Sequence, residues 1–543
     1  MESITKKSRL ILSGIIAALI ISIIFFWFNH PSYITYSMVI ASLLIYLTVR
    51  TEGYKTNDTP EDFFLFNREM PKDEFVPTFV TTNIGLFSSI AFSVILGFYY
   101  GIAGMFFTTF AWFLGMYWFS RKMPNLLPFL KTGTTIHEFI ANSYGKTDAQ
   151  KIKLRAWTSA VSAILYFASV GVEIKFGADI FAPSLGEIQS TVLAFVIAFI
   201  GLSYTYLSGY KGVVFTDKIQ YYILLAGAVI IFIFTCLIGY DNNFSFSNES
   251  FNGYFDFPFI ILGPDPYGLV GLIVLLTLYQ FCIMDMWQRC IAFSKTKDEN
   301  GNQLDDDKLI ALLKKKSFKD AVAPFSVLFI VWFMIGIVAL GANLTDDLTA
   351  ILPAFLASFD NYGPLGYFSK AIVITGFVAA VMSTVDTFLL STVQTIMYDI
   401  YGTAFIKNLS QKINTLDKFQ QYRFVNISKL AIVIIGIASV GVAFLSFGLM
   451  NFWTTMYSIM LSFFPAVYFS MNNKSSKYNY NSVFYSVVIG SGGALILGIL
   501  GTFIVTESYV LSSSPSITVN LVSTSPLFAV LSSLLIMKMG EIK

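Results

Sequence analysis

The sequence predicts an all-α polytopic membrane protein with about 14 transmembrane helices, from its composition and from the length of its apolar runs. Of its 543 residues, 55% are hydrophobic and only 13% are charged, which is about half the charged fraction of a soluble domain. The mean hydropathy is +0.67. Apolar runs of about 18 residues or more recur along the chain, and this length lets a helix cross the hydrocarbon core of a bilayer.

Each apolar run is taken as one predicted span. The spans lie near residues 9–28, 33–50, 74–99, 101–120, 154–180, 189–207, 211–240, 260–288, 320–342, 366–398, 424–446, 450–470, 481–505 and 518–538. The first run follows a basic start and ends in bulky aromatic residues, without a small-residue cleavage site. It is therefore predicted to be a retained helix and not a signal peptide.

Lys and Arg are distributed very unequally between the predicted loops. With the N-terminus in the cytoplasm, all 35 basic residues except Lys175 and Lys370 fall on the cytoplasmic side. The outer segments 241–259, 341–363 and 506–518 contain none. The positive-inside rule therefore predicts a multi-pass protein of the cytoplasmic membrane with both termini in the cytoplasm.

Composition also limits the function. A net charge of +2 gives no reason to expect a nucleic-acid partner, and the lipid bilayer is the expected surrounding. The three cysteines and two histidines give no spacing for a disulfide framework or a histidine-based metal site. The sequence shows no nucleophile–base pair, so we predict that the protein is not an enzyme, and we expect it to act as a monomer.

The stretch "AAVMSTVDTFLLS", residues 379–391, places hydroxyl groups and a carboxylate inside an apolar span. Four of its positions have i, i+3, i+4, i+7 spacing and share one helical face. They are Ala380, Ser383, Thr384 and Thr387. Neutral oxygens in such a cluster suit a hard monovalent cation, although hydroxyls in membrane helices also bond the preceding turn or join neighbouring helices. Asp386 favours the ion site, because a carboxylate at membrane depth is costly without a functional role.

Polar patches also interrupt two other spans. The patch in span 74–99 consists of Thr81, Thr82, Asn83, Gly85, Ser88 and Ser89. A glycine among clustered polar residues is typical of a broken membrane helix, whose freed carbonyl groups can coordinate an ion; the alternative is a well-packed continuous helix. The patch in span 260–288 contains Tyr279, Gln280 and Asp285.

Charged residues near the ends of two spans have simpler interpretations. Asp217 lies at the predicted cytoplasmic end of a span, where it is either a site residue or an ordinary interfacial charge beside Lys218. Glu173 and Lys175 lie near the outer end of another span. We interpret these two as a solvated helix end.

Four ordered segments resemble the sodium:solute symporter family, which includes sugar, proline, sialate, pantothenate and urea transporters. The segments are "EDFFLFNREMP" (61–71), "GYKGVVFTDKIQ" (209–220), "WQRCIAFSK" (287–295) and "AAVMSTVDTFLLSTVQTIMYDIY" (379–401). The resemblance extends over about residues 55–470. Four motifs in the family's order, on a matching topology, are a specific signal.

The resemblance implies the leucine-transporter type of fold, in which two inverted five-helix repeats have unwound first and sixth core helices. Those helices would be the spans 74–99 and 260–288. The implied organisation has three parts. These are two N-terminal transmembrane helices with a cytoplasmic linker in residues 1–73, a ten-helix transport core in 74–470, and two C-terminal transmembrane helices in 471–543.

The resemblance also implies Na⁺ as the coupling ion and a set of ion ligands. The residues that match the family's main Na⁺ site are Thr81, Ile84, Ala380, Ser383 and Thr384. The residues that match a second Na⁺ site of some members are Asp217, Ser383, Asp386 and Thr387. Paired interrupted helices mark a solute site between them. We therefore expect solute contacts from Asn83, Ser88, Ser89 and Gln280, with Tyr279 as the inner gate.

The sequence departs from the family's sugar carriers at three positions. Ser88 replaces their glutamine, Asp320 replaces their lysine, and Leu276 replaces their asparagine. A hexose is therefore not the expected solute, and we expect Na⁺-coupled import of a small polar organic solute by alternating access. One alternative is proton coupling through Asp386 or Asp217. Another is a transport-like sensor, although a sensor is expected to carry a signalling domain and none follows the last apolar span of this sequence.

Overall fold

A computed structural model describes residues 59–185, 187–246, 266–345, 347–348, 350–405, 416–443, 449–504 and 521–542. In this part of the chain the regular secondary structure is helical, with two isolated β-bridges and no strand. Nine helices of the described part are long and apolar enough to cross a membrane, which confirms the predicted all-α polytopic class. The predicted spans 9–28 and 33–50 lie outside the described residues.

The helices are numbered α1 to α19 in chain order. The first seven are α1 (Pro60–Leu65), α2 (Phe75–Asn83), α3 (Phe92–Ser120), α4 (Met123–Leu130), α5 (Ile136–Tyr144), α6 (Asp148–Leu185) and α7 (Glu187–Asp241). The next seven are α8 (Pro266–Cys282), α9 (Met284–Ala292), α10 (Asp306–Lys314), α11 (Asp320–Gly341), α12 (Ile351–Ser358), α13 (Gly363–Thr395) and α14 (Gly402–Phe405). The last five are α15 (Lys418–Ala443), α16 (Leu449–Met460), α17 (Phe464–Met471), α18 (Tyr480–Ile504) and α19 (Leu521–Met539).

Two glycines divide helices that the sequence predicts as separate spans. Gly101 within α3 has φ 58° and Gly209 within α7 has φ 54°, and glycine adopts these values without strain. Gly101 is the first residue of the predicted span 101–120, and Gly209 falls between the predicted spans 189–207 and 211–240. At Gly209 a Cβ atom would also lie 2.4 Å from the Phe63 carbonyl oxygen, so this position has no room for any side chain.

Both predicted helix interruptions are present, the first expected from a polar patch around Gly85 and the second from the family resemblance. Ile84 (φ −103°, ψ 62°) and Gly85 (φ −70°, ψ 156°) separate α2 from the π-helical turn that leads into α3. Ile283 (φ −87°, ψ 131°) separates α8 from α9. Each interruption takes backbone groups out of the regular helical ladder, so they can bond other partners.

The predicted span 450–470 is not one continuous α-helix. It is divided into α16, the 3₁₀ turn Leu461–Phe463, and α17. Pro465 lies in the first turn of α17. A proline lacks the backbone N–H that would bond the preceding turn, so an α-helix does not continue undisturbed through it.

Helix α15 exposes a wide apolar face. Leu430, Ile434 and Ile437 have exposed fractions of 58%, 58% and 65%. Their i, i+4, i+7 spacing places them on one side of the helix. A contiguous apolar surface of this kind is unusual on a soluble monomer and marks a membrane contact.

The segment after α1 has an unusual backbone conformation. Phe66, Asn67 and Arg68 are consecutive left-handed residues, with φ values of 54°, 51° and 63°. Arg68 Nη1 donates to the Leu130 carbonyl at 2.7 Å and to the Gly133 carbonyl at 2.9 Å. These bonds fix the left-handed turn against the end of α4.

The same segment is also fixed to α9. The Gln288 side-chain amide donates to the Phe64 carbonyl at 2.9 Å, and the Met70 amide donates to the Ala292 carbonyl at 2.9 Å. The stretch 61–70 therefore closes the predicted cytoplasmic side of α9.

A buried ion cluster joins α5, α6 and the turn that follows α13. Arg155 donates to Asp399 and lies 3.6 Å from the Glu138 carboxylate. Burial, with a smaller contribution from Arg155, lowers the pKa of the neighbouring His137 to about 3. His137 is therefore neutral at physiological pH, and Arg155 supplies the positive charge that balances the two carboxylates.

Arg155→Met is expected to destabilise the protein by about 3–5 kcal/mol, because it leaves buried carboxylates without their cation. Thermal unfolding of the purified protein in detergent measures the effect as a lower midpoint. The double variant Arg155→Met/Asp399→Asn should recover part of the loss, and Lys153→Met, which removes an exposed charge from the same helix, should change the midpoint much less. A midpoint for Arg155→Met equal to that of the unmodified chain would contradict the prediction.

Candidate ion and solute site

The polar face of α13 lies against the end of α2. Ser383 Oγ is 3.1 Å from the Thr81 carbonyl oxygen and 3.0 Å from the Ala380 carbonyl oxygen. Thr384 Oγ1 is 3.3 Å from the Thr82 carbonyl oxygen and 3.0 Å from the Ala380 carbonyl oxygen. All five residues are buried. Two hydroxyl and three carbonyl oxygens therefore converge between an interrupted helix and α13.

Glu173 on α6 holds the first interruption open. Its Oε1 accepts a hydrogen bond from the Ser88 amide at 2.9 Å, and its Oε2 accepts one from the Phe87 amide at 3.0 Å. In a continuous α-helix these amides would bond the carbonyls of Ile84 and Asn83, four residues earlier. The carboxylate takes the place of those carbonyls and releases them from the helical pattern. A negative group at the start of a helix is also favoured by the helix dipole.

The interpretation of Glu173 as a solvated helix end is wrong. The residue is only 1% exposed. A Cβ atom on Gly85 would lie 2.5 Å from Glu173 Oε1 and 2.9 Å from Thr384 Oγ1, so Gly85 separates the carboxylate from the hydroxyl face of α13. Sequence spacing could not show this, because the amides that Glu173 binds are 85 and 86 residues away.

The residues predicted for a second ion site form a chain of hydroxyl groups and carboxylates. Thr82 Oγ1 lies 3.5 Å from Asp217 Oδ2 and 3.2 Å from Thr387 Oγ1. Thr387 donates to Asp386 Oδ1 at 3.2 Å. These residues are buried, and they connect α7, α2 and α13. The fourth predicted residue, Ser383, belongs to the cluster of hydroxyl and carbonyl oxygens between α2 and α13 described above.

A buried guanidinium that the sequence did not assign to the site reaches this chain. Arg289 on α9 donates to Thr82 Oγ1 at 2.9 Å and pairs with Asp285 at 3.5 Å. Asp285 in turn accepts a hydrogen bond from the Tyr166 hydroxyl at 2.8 Å. The two interrupted helices are therefore joined directly, through Arg289 and Thr82.

A cavity of about 50 Å³ lies beside these oxygens. Its polar lining residues are Thr82, Asn83, Ser88, Ser89, Ser93, Thr108 and Thr109. Its apolar and aromatic lining residues are Phe92, Leu96, Trp112, Leu276, Tyr279, Phe329, Phe333, Phe388, Trp453 and Tyr457. Within the described part of the chain, the lining contains no charged side chain.

Four of the five predicted solute and gate residues line this cavity. They are Asn83, Ser88, Ser89 and Tyr279. The Tyr279 ring lies 5.3 Å from the Trp112 ring and 5.4 Å from the Tyr457 ring, between centroids. Gln280 is buried but does not line the cavity, because neighbouring residues of a helix point in directions about 100° apart.

A second cavity, of about 130 Å³, shares Leu96 with the first. Residues of α3, α8, α16 and α19 line it. Leu96 therefore lies between the two spaces.

The model of the sodium:solute symporter family matches residues 63–490. The chain belongs to this family. This match confirms the family resemblance that was predicted from four motifs. Membership of this family means that the protein is a membrane transporter. Comparison with curated protein sequences gives no significant match.

Two solved structures are similar to this symporter. A Na⁺-coupled sialic acid symporter in a substrate-bound outward-open state has 16% sequence identity, a TM-score of 0.64, and coverage of 93% of this chain and 97% of that chain. A nucleobase-cation-symport-1 family transporter, closed with bromovinylhydantoin bound, has 11% identity, a TM-score of 0.49, and coverage of 89% and 94%. The first likeness shows that this symporter has the fold of a Na⁺-coupled transporter.

Proposed function

We propose that this symporter imports a small polar organic solute together with Na⁺ by alternating access. The observation that carries the proposal is the convergence of carbonyl and hydroxyl oxygens where α2 ends against α13. Interrupted helices in transporters present such carbonyls to the coupling ion. The proposed ligands of the main Na⁺ site are the Thr81 and Ala380 carbonyls and the Ser383 and Thr384 hydroxyls, which lie in this cluster. The Ile84 carbonyl is added to them on the family resemblance.

The membrane potential supplies part of the driving force. One Na⁺ that enters a cell with a negative interior gains about 2.3 kcal/mol per 100 mV. The solute would occupy the cavity beside the ion, with Tyr279 as the inner gate. The contacts of the stretch 61–70 with α9 support a closed cytoplasmic side.

The finer architecture is part of the same proposal. We propose 14 transmembrane helices, of which the ten in residues 74–470 form two inverted repeats with the interruptions in the first and sixth. Residues 1–73 and 471–543 would add two helices each, with both termini in the cytoplasm and the symporter acting as a monomer in the cytoplasmic membrane. The breaks at Ile84 and Ile283 support the repeat assignment, because corresponding helices in the two repeats of such transporters are both interrupted.

Binding of Na⁺ to the purified full chain tests the proposal without knowledge of the solute. Radioactive Na⁺ should bind saturably in a scintillation proximity assay, and unlabelled Na⁺, but not K⁺, should displace it. Na⁺ should also raise the thermal unfolding midpoint, because a ligand that binds the folded state alone stabilises it. Displacement by K⁺ as effective as by Na⁺, or no saturable binding, would overturn the proposal.

The chain of buried groups from Asp217 to Asp386 supports both a second Na⁺ and the alternative of proton coupling. Asp217→Asn and Asp386→Asn should each reduce the number of Na⁺ bound per protein at saturation by one, because two carboxylates near one hydroxyl cluster are costly unless a cation neutralises them. Equilibrium binding measures the stoichiometry, with the exposed Asp179→Asn as the control.

Unchanged stoichiometry in both variants would contradict a second Na⁺ site. Proton uptake into proteoliposomes in K⁺ medium, driven by a pH gradient and lost in both variants, would establish the proton alternative instead.

A further inference from the structure

Besides the Tyr457 hydroxyl, four polar groups of the cavity lining are buried without a hydrogen-bond partner. They are Ser89 Oγ, Thr109 Oγ1, Trp112 Nε1 and Trp453 Nε1. The large majority of buried side-chain polar atoms in proteins are paired, and an unpaired one is costly. Four in one cavity therefore require partners from outside the protein, first water and then the solute.

Two of these groups are donors only. An indole N–H can donate a hydrogen bond but cannot accept one, so Trp112 and Trp453 each require an acceptor atom. The two indoles lie in one row of aromatic rings, in which Trp112 contacts Tyr279 at 5.3 Å, Tyr279 contacts Tyr457 at 5.4 Å, and Tyr457 contacts Trp453 at 4.5 Å. Adjacent rings of the row are tilted by 30–36° to each other, and the row gives the cavity an aromatic wall with an indole at each end.

The lining also restricts the charge of the solute. Burying an ion without a partner of opposite charge is strongly unfavourable, and the lining residues of the described chain are all uncharged. Three charged residues contact lining residues from behind the cavity wall. Glu173 is bonded to two backbone amides and Arg289 is paired with Asp285. Asp217 accepts hydrogen bonds from the Thr78 and Thr82 hydroxyls. A cation would gain from the aromatic faces, but it would leave both indole N–H groups without acceptors.

We infer that the solute is a compact, uncharged molecule with one apolar face and hydrogen-bond acceptors at both ends. Small heterocyclic amides and carbonyl compounds belong to this class. The inference rests on the proposed transport function, and it names the solute class of the same cavity. The apolar face would pack against the aromatic row, and the acceptors would accept hydrogen bonds from the Trp112 and Trp453 N–H groups. The hydroxyls of Ser89 and Thr109 can each donate a hydrogen bond to the solute or accept one from it.

A matched set of probes tests the inference on the purified full chain. Nicotinamide, uracil and hydantoin are the uncharged members; nicotinate and orotate are anionic relatives, and 1-methylnicotinamide is a cationic one. Thermal unfolding is measured with each probe in Na⁺ and in K⁺ medium. At least one uncharged probe should raise the midpoint in Na⁺ medium, and the charged relatives should not. Stabilisation confined to charged probes, or by no probe, would overturn the inference.

Two variants separate the indole N–H from the aromatic ring. Trp112→Phe and Trp453→Phe retain an aromatic ring but lose the N–H donor. Each should weaken binding of the stabilising uncharged probe about 3- to 10-fold, which is the change in affinity expected for the loss of one hydrogen bond. Trp157→Phe, on the exposed surface of α6, should have wild-type affinity. The unfolding midpoints without probe show whether each variant is folded. Unchanged affinity in both cavity variants would overturn the assigned role of the indoles.

The same measurements distinguish this inference from the transport proposal. An uncharged probe that binds equally well in Na⁺ and K⁺ medium would overturn Na⁺ coupling and support the solute class. A charged probe that binds only in Na⁺ medium would overturn the solute class and support Na⁺ coupling.

Discussion

Replacing both Ser383 and Thr384 by alanine is expected to abolish saturable Na⁺ binding. The two hydroxyls are the side-chain oxygens of the α13–α2 cluster, and an ion deprived of both would be undercoordinated in a site that is closed to water. Each single variant should weaken Na⁺ binding about 10- to 100-fold, since hydrogen bonds and ligand contacts to a charge contribute about 1.5–3 kcal/mol each. Radioactive Na⁺ binding to the purified variants measures both effects.

Helix α13 offers a matched control for these substitutions. Thr392 is also buried, and its hydroxyl bonds the Phe388 carbonyl of the preceding turn at 2.7 Å. Thr392→Ala should therefore keep the Na⁺ affinity of the unmodified chain. If the double variant also kept that affinity, the main site would have to lie elsewhere.

Glu173→Gln is expected to have the second largest effect. The substitution keeps the size of the side chain but removes its charge and replaces one acceptor oxygen by an NH₂ donor, which then faces a backbone N–H group. Two charge-assisted hydrogen bonds to the Phe87 and Ser88 amides are lost or weakened. Because those bonds hold the first interruption open, Na⁺ affinity should fall about tenfold or more.

Two measurements check the role of Glu173. Hydrogen exchange at the amides of Phe87 and Ser88 should become faster in Glu173→Gln, and Na⁺ binding should weaken in the same protein. Asp179→Asn, which alters an exposed carboxylate of the same helix, is the control for both. Unchanged exchange together with unchanged Na⁺ affinity would show that the interruption does not depend on the carboxylate.

Features with a local cause were predictable from the sequence. The interruption at Gly85 is signalled by a glycine among hydroxyl and amide side chains, and the polar face of α13 is signalled by spacing within a single helix. The positions of Gly101 and Gly209 coincide with the ends of apolar runs. In each case the residues that produce the feature are neighbours in the sequence, so a pattern of a few residues contains the information.

Features that depend on tertiary contacts were not predictable in the same way. Glu173 resembles any charged residue near a helix end until α6 is placed beside the first interruption. Arg289 belongs to a recognised motif, but its contact with Thr82 joins residues 207 positions apart. The cavity lining at Trp112 and Trp453 has no sequence signal either, because 17% of the residues are aromatic and nothing in the local sequence separates these two from the rest.

The three left-handed residues after α1 affect how firmly the predicted cytoplasmic end can close. A left-handed conformation costs most non-glycine residues about 1–2 kcal/mol and asparagine less, so Phe66 and Arg68 in particular raise the free energy of this arrangement while the Arg68 hydrogen bonds lower it. If the segment leaves α9 in the proposed transport cycle, relaxation of these residues returns part of that cost. A carrier must leave each of its end states in every cycle, and an end state that stores strain has a shallower energy minimum. In the proposed alternating-access cycle, the turn would therefore shorten the dwell time of this state and favour rapid turnover over tight closure.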